Sequence, residues 1–309
     1  MAFLNALPGA VAEGLIWGLM GIGVYLSFKI LNIADMTVDG SICTGGCVCA
    51  VLLANGFPIW LSVVAAFIAG ALAGLVAGLL NTALGIPSIL AGILTQLMLY
   101  SVNLTILGGK SLVAIDPRAN KLLVHMSDNP RSIITMGIFV AATIIGLWLF
   151  FYTEFGLTIK STGDNPDMSR AQGVNVKLTQ VLGLSLSNGI VALSGSLLAQ
   201  YKGSANINDG RGAIVIGLAA IFIGLSVSLK IKPNFVVSMI GVTCGAIVYY
   251  IVYNVVILLG LKTDFLKMFS AIIVAIFIAV PYLKKEYFTR QRKLPYNGAK
   301  TRINGGNNA

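Results

Sequence analysis

Asn165, Pro166, Asp167, Arg170 and Gly173 stand at spacings that start and stop a helix of about two turns. Asn165 suits the N-cap and Pro166 the first helical position. Asp167 complements the positive end of the helix dipole. Arg170 and Ala171 continue the helix, and Gly173 can end it in a left-handed turn. The chemistry this suits is mechanical rather than covalent. A short rigid helix between two long apolar runs can carry a partner's motion into them.

A second set of polar residues sits inside apolar runs: Asn81, Thr95, Gln96, Asn188 and Ser194. Such residues either line a solute path or hydrogen-bond between helices, and both readings stand. Asp35, Asp39 and Asp209 fall in polar breaks, where a carboxylate either meets a solute or caps a helix N-terminus. No ring of aromatic or charged side chains that would name a ligand is legible along the chain.

Covalent chemistry is not expected, and no residue is assigned a catalytic role. The one histidine, His125, lies in a polar loop, and neither HExxH nor GxSxG occurs. Gly109-Lys110-Ser111 resembles the end of a phosphate-binding loop, but the required first glycine falls on Leu104. Cys43, Cys47, Cys49 and Cys244 lie in apolar runs and read as small packing residues. Cys43 and Cys47 are one turn apart, without the neighbouring His or carboxylate that a metal set needs. The chain itself is expected to hold no metal and no cofactor.

The elements that must position these residues follow from composition. Of 309 residues, 57% are hydrophobic and 10% charged. Soluble domains carry about 25% charged residues. With a mean hydropathy of +0.88, the chain needs lipid as solvent. Apolar runs lie at about 11–31, 57–80, 86–107, 131–152, 178–200, 211–228, 234–258 and 264–281, with a shorter one at 41–54. The expectation is an all-α polytopic membrane protein with about nine membrane segments.

The net charge of +10 does not point to nucleic acid. Seven of the 21 Lys and Arg follow Leu283, against the single acid Glu286, as in a cytoplasmic flank attracted to anionic lipid. Alternation then puts 153–177 inside, and 108–130 and the N-terminus outside. The first ten residues hold no Lys or Arg and do not read as a signal peptide.

Internal symmetry adds an organisation. Asn32-Ile33-Ala34-Asp35 recurs as Asn206-Ile207-Asn208-Asp209, 174 residues later. Gly14-Leu15-Ile16 parallels Gly189-Ile190-Val191, and Gly85-Ile86 parallels Gly260-Leu261, both offset by 175. One span between two four-segment halves inverts the second half, a feature of transporters. The expected plan is one transmembrane domain over 1–309. It comprises a first repeat at about 11–107, a central span at 131–152, a loop at 153–177, a second repeat at about 178–281 and a basic tail at 282–309. GxxxG spacings at Gly14/Gly18, Gly70/Gly74/Gly78 and Gly241/Gly245 predict close helix packing.

The stretch from Phe155-Gly156-Leu157 through Gly163-Asp164-Asn165-Pro166 to Ala171-Gln172-Gly173-Val174-Asn175 resembles the coupling-helix loop of ABC-importer permeases of the branched-chain amino-acid and ribose type. Ser161 and Ser169 replace the family's more common Ala. Gly78-Leu79-Leu80-Asn81 with Gly85-Ile86-Pro87-Ser88-Ile89 is similar to a second family segment, and Asn32 to Gly46 to its polar break and short helix. Within the family, Asn-Ile-Ala-Asp-Met-Thr-Val-Asp-Gly looks most like permeases associated with tryptophan or tyrosine uptake and their uncharacterised relatives.

The resemblance implies the membrane-spanning permease subunit of an ATP-driven importer, multi-pass in the bacterial plasma (inner) membrane. Its implied partners are cytoplasmic ABC ATPase subunits that hold ATP and Mg, an extracytoplasmic substrate-binding protein, a second permease subunit in a homodimer, and membrane lipid. It implies an ATPase-coupling role for Gly163, Asp164, Asn165, Pro166, Asp167, Arg170 and Gly173, and a small solute as cargo, with an aromatic amino acid favoured. The competing class is a secondary transporter driven by an ion gradient. It would share inverted repeats and broken helices but needs a membrane-embedded carboxylate for the ion.

Overall fold

A computed structural model describes residues 2–115, 122–126, 129–228 and 234–258, with isolated positions between 268 and 279. The chain is mostly helical, and six of the described helices are long and apolar enough to cross a membrane. α1 (Ala2–Tyr25) runs on into a π-helical turn, Leu26–Ile30. α2 (Val38–Ala54) is short, α3 spans Ile59–Thr82, and α4 Ser88–Ile106. α5 (Asn129–Tyr152) is followed by α6 (Glu154–Asp164) and α7 (Pro166–Ala171). α8 (Val176–Lys202), α9 (Ala213–Ser228) and α10 (Phe235–Leu258) complete the described order.

α2 and α9 are apolar but too short to be counted among the six. The run expected at 264–281 and the basic tail at 282–309 lie almost wholly outside the described residues. An all-α expectation also left out a small ribbon. β1 (Leu112–Ala114) pairs antiparallel with β2 (Ser204–Asn206), Val113 opposite Ala205. It ties the loop after α4 to the turn after α8.

Burial separates inner helices from outer ones. The apolar windows of α1 and α8 are 78% and 72% buried, that of α5 only 22%. α5 and the outer faces of α3 and α4 present Ile134, Ile138, Trp60 and Leu97 outward, as lipid contact requires. The glycine spacings explain the tight centre. A Cβ on Gly74 would meet the Leu184 carbonyl of α8, and one on Gly78 would meet the Val181 Cα at 2.8 Å. Gly14 and Gly18 receive Ile247 and Thr243 of α10 in the same way. Hydroxyls of α8 add bonds across these contacts: Ser185 donates to the Ala71 carbonyl, Ser187 to Gly23 and Ser194 to Ile16, each at 2.7 Å.

The first helix breaks at a defined place. Leu31 and Ile33 amides donate back to Leu26 and Ser27 at 2.9 Å, closing the π-turn. Asn32 then takes a left-handed φ of 58°, a conformation Asn tolerates better than most residues. The Asp35 carboxylate accepts the Thr37 amide at 2.8 Å, where α2 begins.

Candidate functional site

Two features occupy opposite ends of the bundle. α8 starts directly after α7 and ends at Lys202, so its 27 residues hold them roughly 40 Å apart.

At one end α6 and α7 form a helical hairpin. The Asn165 side chain accepts the Met168 amide at 3.0 Å, with Pro166 at the first helical position. Ser169 is buried beneath and donates to the Asn165 carbonyl at 3.0 Å. Gly173 has φ +84°, which lets its amide and that of Val174 close the end on Arg170 and Ser169. Asn175 then caps α8 by accepting the Leu178 amide at 3.2 Å. Asp164, Pro166, Asp167, Met168 and Arg170 face outward. Arg170 and Asp167 pair loosely at 3.7 Å. Both side chains are so exposed that the pair contributes little.

Sequence reasoning treated the residues before Asn165 as loop, but they form α6. Thr153 caps it by accepting the Gly156 amide at 3.3 Å. Gly156, Ile159 and Thr162 form its buried face at three-residue spacing. Two glycines and three threonines in 153–163 mask that period in sequence. Met168, the exposed apolar tip of α7, was also missed. Its one signal was an apolar side chain on a short polar helix.

Gly163 joins the hairpin to the membrane bundle. A Cβ there would collide with the Ile30 carbonyl at the end of the π-turn, so only glycine lets α6 sit this close. Leu31 in turn packs over Gly183 of α8. The hairpin therefore rests directly on the break that leads to Asp35.

The polar breaks make three distinct contacts. Asn188 of α8 donates to the buried Asp35 carboxylate at 2.6 Å, and its Oδ1 accepts from Ser41 at 2.6 Å. Asp39 accepts the Gly212 and Ile214 amides at 2.9 and 2.8 Å, capping α9. Asp209 accepts from the Asn206 amide at 2.9 Å and pairs with Lys202 at 3.0 Å.

At the other end lies a cavity of about 770 Å³, a size that suits a small molecule. None of Asn81, Thr95, Gln96, Asn188 and Ser194 lines it. Asn81 donates to the Ile86 carbonyl, Thr95 to Ala91 and Ser194 to Ile16. Gln96 lies half-buried beside Gly40 of α2. The cavity wall is instead aromatic and charged, correcting the expectation that no such ring exists. Trp17 stacks on Tyr250 with centroids 5.8 Å apart, and Tyr249 on Tyr253 at 6.4 Å. Glu13, Lys202, Asp209 and Arg211 supply charge to the same wall. These residues come from segments near 13–17, 201–211 and 249–253, so no local motif announces them.

Sequence comparisons cover nearly the whole chain. Residues 9–281 match the family described as the branched-chain amino acid transport system / permease component. A tyrosine transport system permease protein of Clostridioides difficile is 34% identical over 89% of this chain and 91% of its own length. An uncharacterised protein of Rickettsia prowazekii is 30% identical over 92% of this chain and 99% of its own. The autoinducer 2 import system permease protein of Yersinia pestis is 30% identical over 79% of this chain and 67% of its own. No solved structure matches.

Proposed function

As a member of the branched-chain amino acid transport system / permease component family, the chain is a multi-pass inner-membrane protein, and we propose that it is the permease subunit of an ATP-driven importer. The observation that carries this is the exposed α6–α7 hairpin seated through Gly163 on the break of the first helix. A partner that moves α7 moves α6, and α6 pushes on Ile30. That supplies the differential contact a two-state switch requires. In this reading Gly163, Asp164, Asn165, Pro166, Asp167, Arg170 and Gly173 build and present the coupling element. ATP and Mg belong to two cytoplasmic ATPase subunits.

The remaining parts of the reading have their own support. The described helices repeat at near-constant offset: Val38 and Ala213 begin α2 and α9, 175 apart, and Ile59 and Phe235 begin α3 and α10, 176 apart. This favours about nine segments as two inverted four-segment repeats around α5. The basic tail favours a cytoplasmic hairpin, which places the cavity at the extracytoplasmic end. A binding protein would deliver solute there, and a second copy of this chain would complete the translocation path. An amino acid, aromatic by preference, is the proposed solute. The tyrosine-transport relative and the aromatic cavity wall both support it.

The ion-gradient alternative has one observation of its own. Glu13 lies within the apolar span Ala6–Ile30, where an ion-coupling carboxylate would sit.

The test is affinity purification of the tagged chain from its native membrane. The expected result is co-purification of an ATPase subunit with wild type. Asp164→Gly, Asn165→Ala and Pro166→Gly together should reduce it about tenfold or more, since the helix cap and the entry rigidity are both removed. A stable chain that brings no ATPase would overturn the reading.

A further inference from the structure

We propose that the cavity at the extracytoplasmic end is a binding site for the zwitterion of an aromatic α-amino acid. Arg211 takes its carboxylate, Glu13 its ammonium group, and the Trp17–Tyr250 pair its ring. The proposal rests on the importer reading only for which side the solute enters from.

The charges that line the cavity do not all cancel. Four charged side chains line the cavity, and two neutralise each other: Lys202 and Asp209 are 3.0 Å apart. Glu13 and Arg211 line it as well, but neither side chain makes a hydrogen bond or ion pair among the described residues. They do not pair with each other, and Lys202 reaches Glu13 only as a longer-range field. Glu13 is half-buried within an apolar span, where a carboxylate without a partner is costly, and Arg211 is exposed along the same cavity, so the two present opposite charges to one molecule. A neutral sugar would satisfy neither fully, and a simple anion or cation only one.

The nearby start of α9 offers no rival anion site. Both Asp39 oxygens already accept its Gly212 and Ile214 amides. The carboxylate is left to the guanidinium, whose planar fork matches it. The ring preference follows from the aromatic part of the same wall. Trp17 and Tyr250 stack at 5.8 Å with planes 25° apart, and Tyr253 lies 5.7 Å from Tyr250. That surface extends an aromatic stack by one more ring.

The test is equilibrium binding of tritiated L-tyrosine to the purified chain in lipid nanodiscs without nucleotide. Its result is thus independent of whether ATP drives transport. Competitors are tyramine, which lacks the carboxylate, and 3-(4-hydroxyphenyl)propionate, which lacks the amine. Saturable L-tyrosine binding is expected. Glu13→Gln should weaken L-tyrosine about tenfold and leave the propionate unchanged. Arg211→Gln should weaken L-tyrosine about tenfold and leave tyramine unchanged, and Arg211→Lys should recover part of the loss. The crossed pattern cannot come from misfolding, which would weaken all three ligands alike. Wild-type affinity in both variants, equal weakening of all three ligands, or no binding of L-tyrosine by wild type would each overturn the site. A failed site with the ATPase subunit still co-purifying would leave the importer reading intact.

Discussion

Gly163→Leu is expected to lower ATP-driven uptake about 100-fold while the ATPase subunit still binds. The position leaves no room for a side chain, because the obstacle is the Ile30 backbone carbonyl rather than a flexible group. Forced insertion into packed structure costs about 1–3 kcal/mol, and a rigid obstacle belongs at the upper end. Lifting α6 off Ile30 relieves that cost, so the seated state that passes the motion on becomes roughly 100-fold rarer, at about 1.4 kcal/mol per factor of ten. The exposed face of α7 is untouched, with Asn165 still capping Met168, so the partner's docking surface survives. What is lost is the seat that passes its motion to Ile30, to Leu31 on Gly183 and to the break before α2. Uptake is measured in cells and ATPase retention by pull-down. Unchanged uptake would remove Gly163 from the transmission route.

Asn188→Ala is expected to destabilise the bundle by about 3 kcal/mol. Its amide joins α8 to the Asp35 carboxylate and to the Ser41 hydroxyl, each at 2.6 Å. Asp35 is 5% exposed, so truncation leaves its carboxylate buried without that donor. Asp35→Asn should cost about 1 kcal/mol, because it removes the charge, and an amide flip at Asn188 restores the bonds to residue 35 and Ser41 at the expense of the one to the Leu184 carbonyl. Thermal unfolding in detergent should therefore rank wild type, Asp35→Asn and Asn188→Ala in that order, with the larger gap before the last. Near-equal losses in the two variants would contradict the assigned pairing.

The features readable in sequence were those set by neighbours in the chain. Hydropathy placed the third helix at 57–80 against the observed Ile59–Thr82, because a continuous apolar run has one energetically acceptable state in lipid. Asn165, Pro166 and Gly173 declared a short helix because capping acts within a few residues. Features made by distant pairings were not readable. Asn188 stands out by its polarity, but its partners are 147 and 153 residues away and no local pattern names them. The cavity collects Glu13 of α1, Arg211 and Tyr253 on one wall, which only packing can do. α6 escaped because its apolar period is short and interrupted by glycine and threonine, so tertiary contact with the break, not propensity, holds it helical.

The central claim is that this chain moves solute on behalf of an ATPase partner. Its most direct test is uptake into proteoliposomes that hold the chain, its ATPase and its binding protein, with ATP in the lumen and all ion gradients collapsed by ionophores. The account predicts uptake that continues under these conditions and stops when a non-hydrolysable analogue replaces ATP. Uptake that persists without ATP and fails with the ionophores would contradict the account and assign Glu13 to ion coupling.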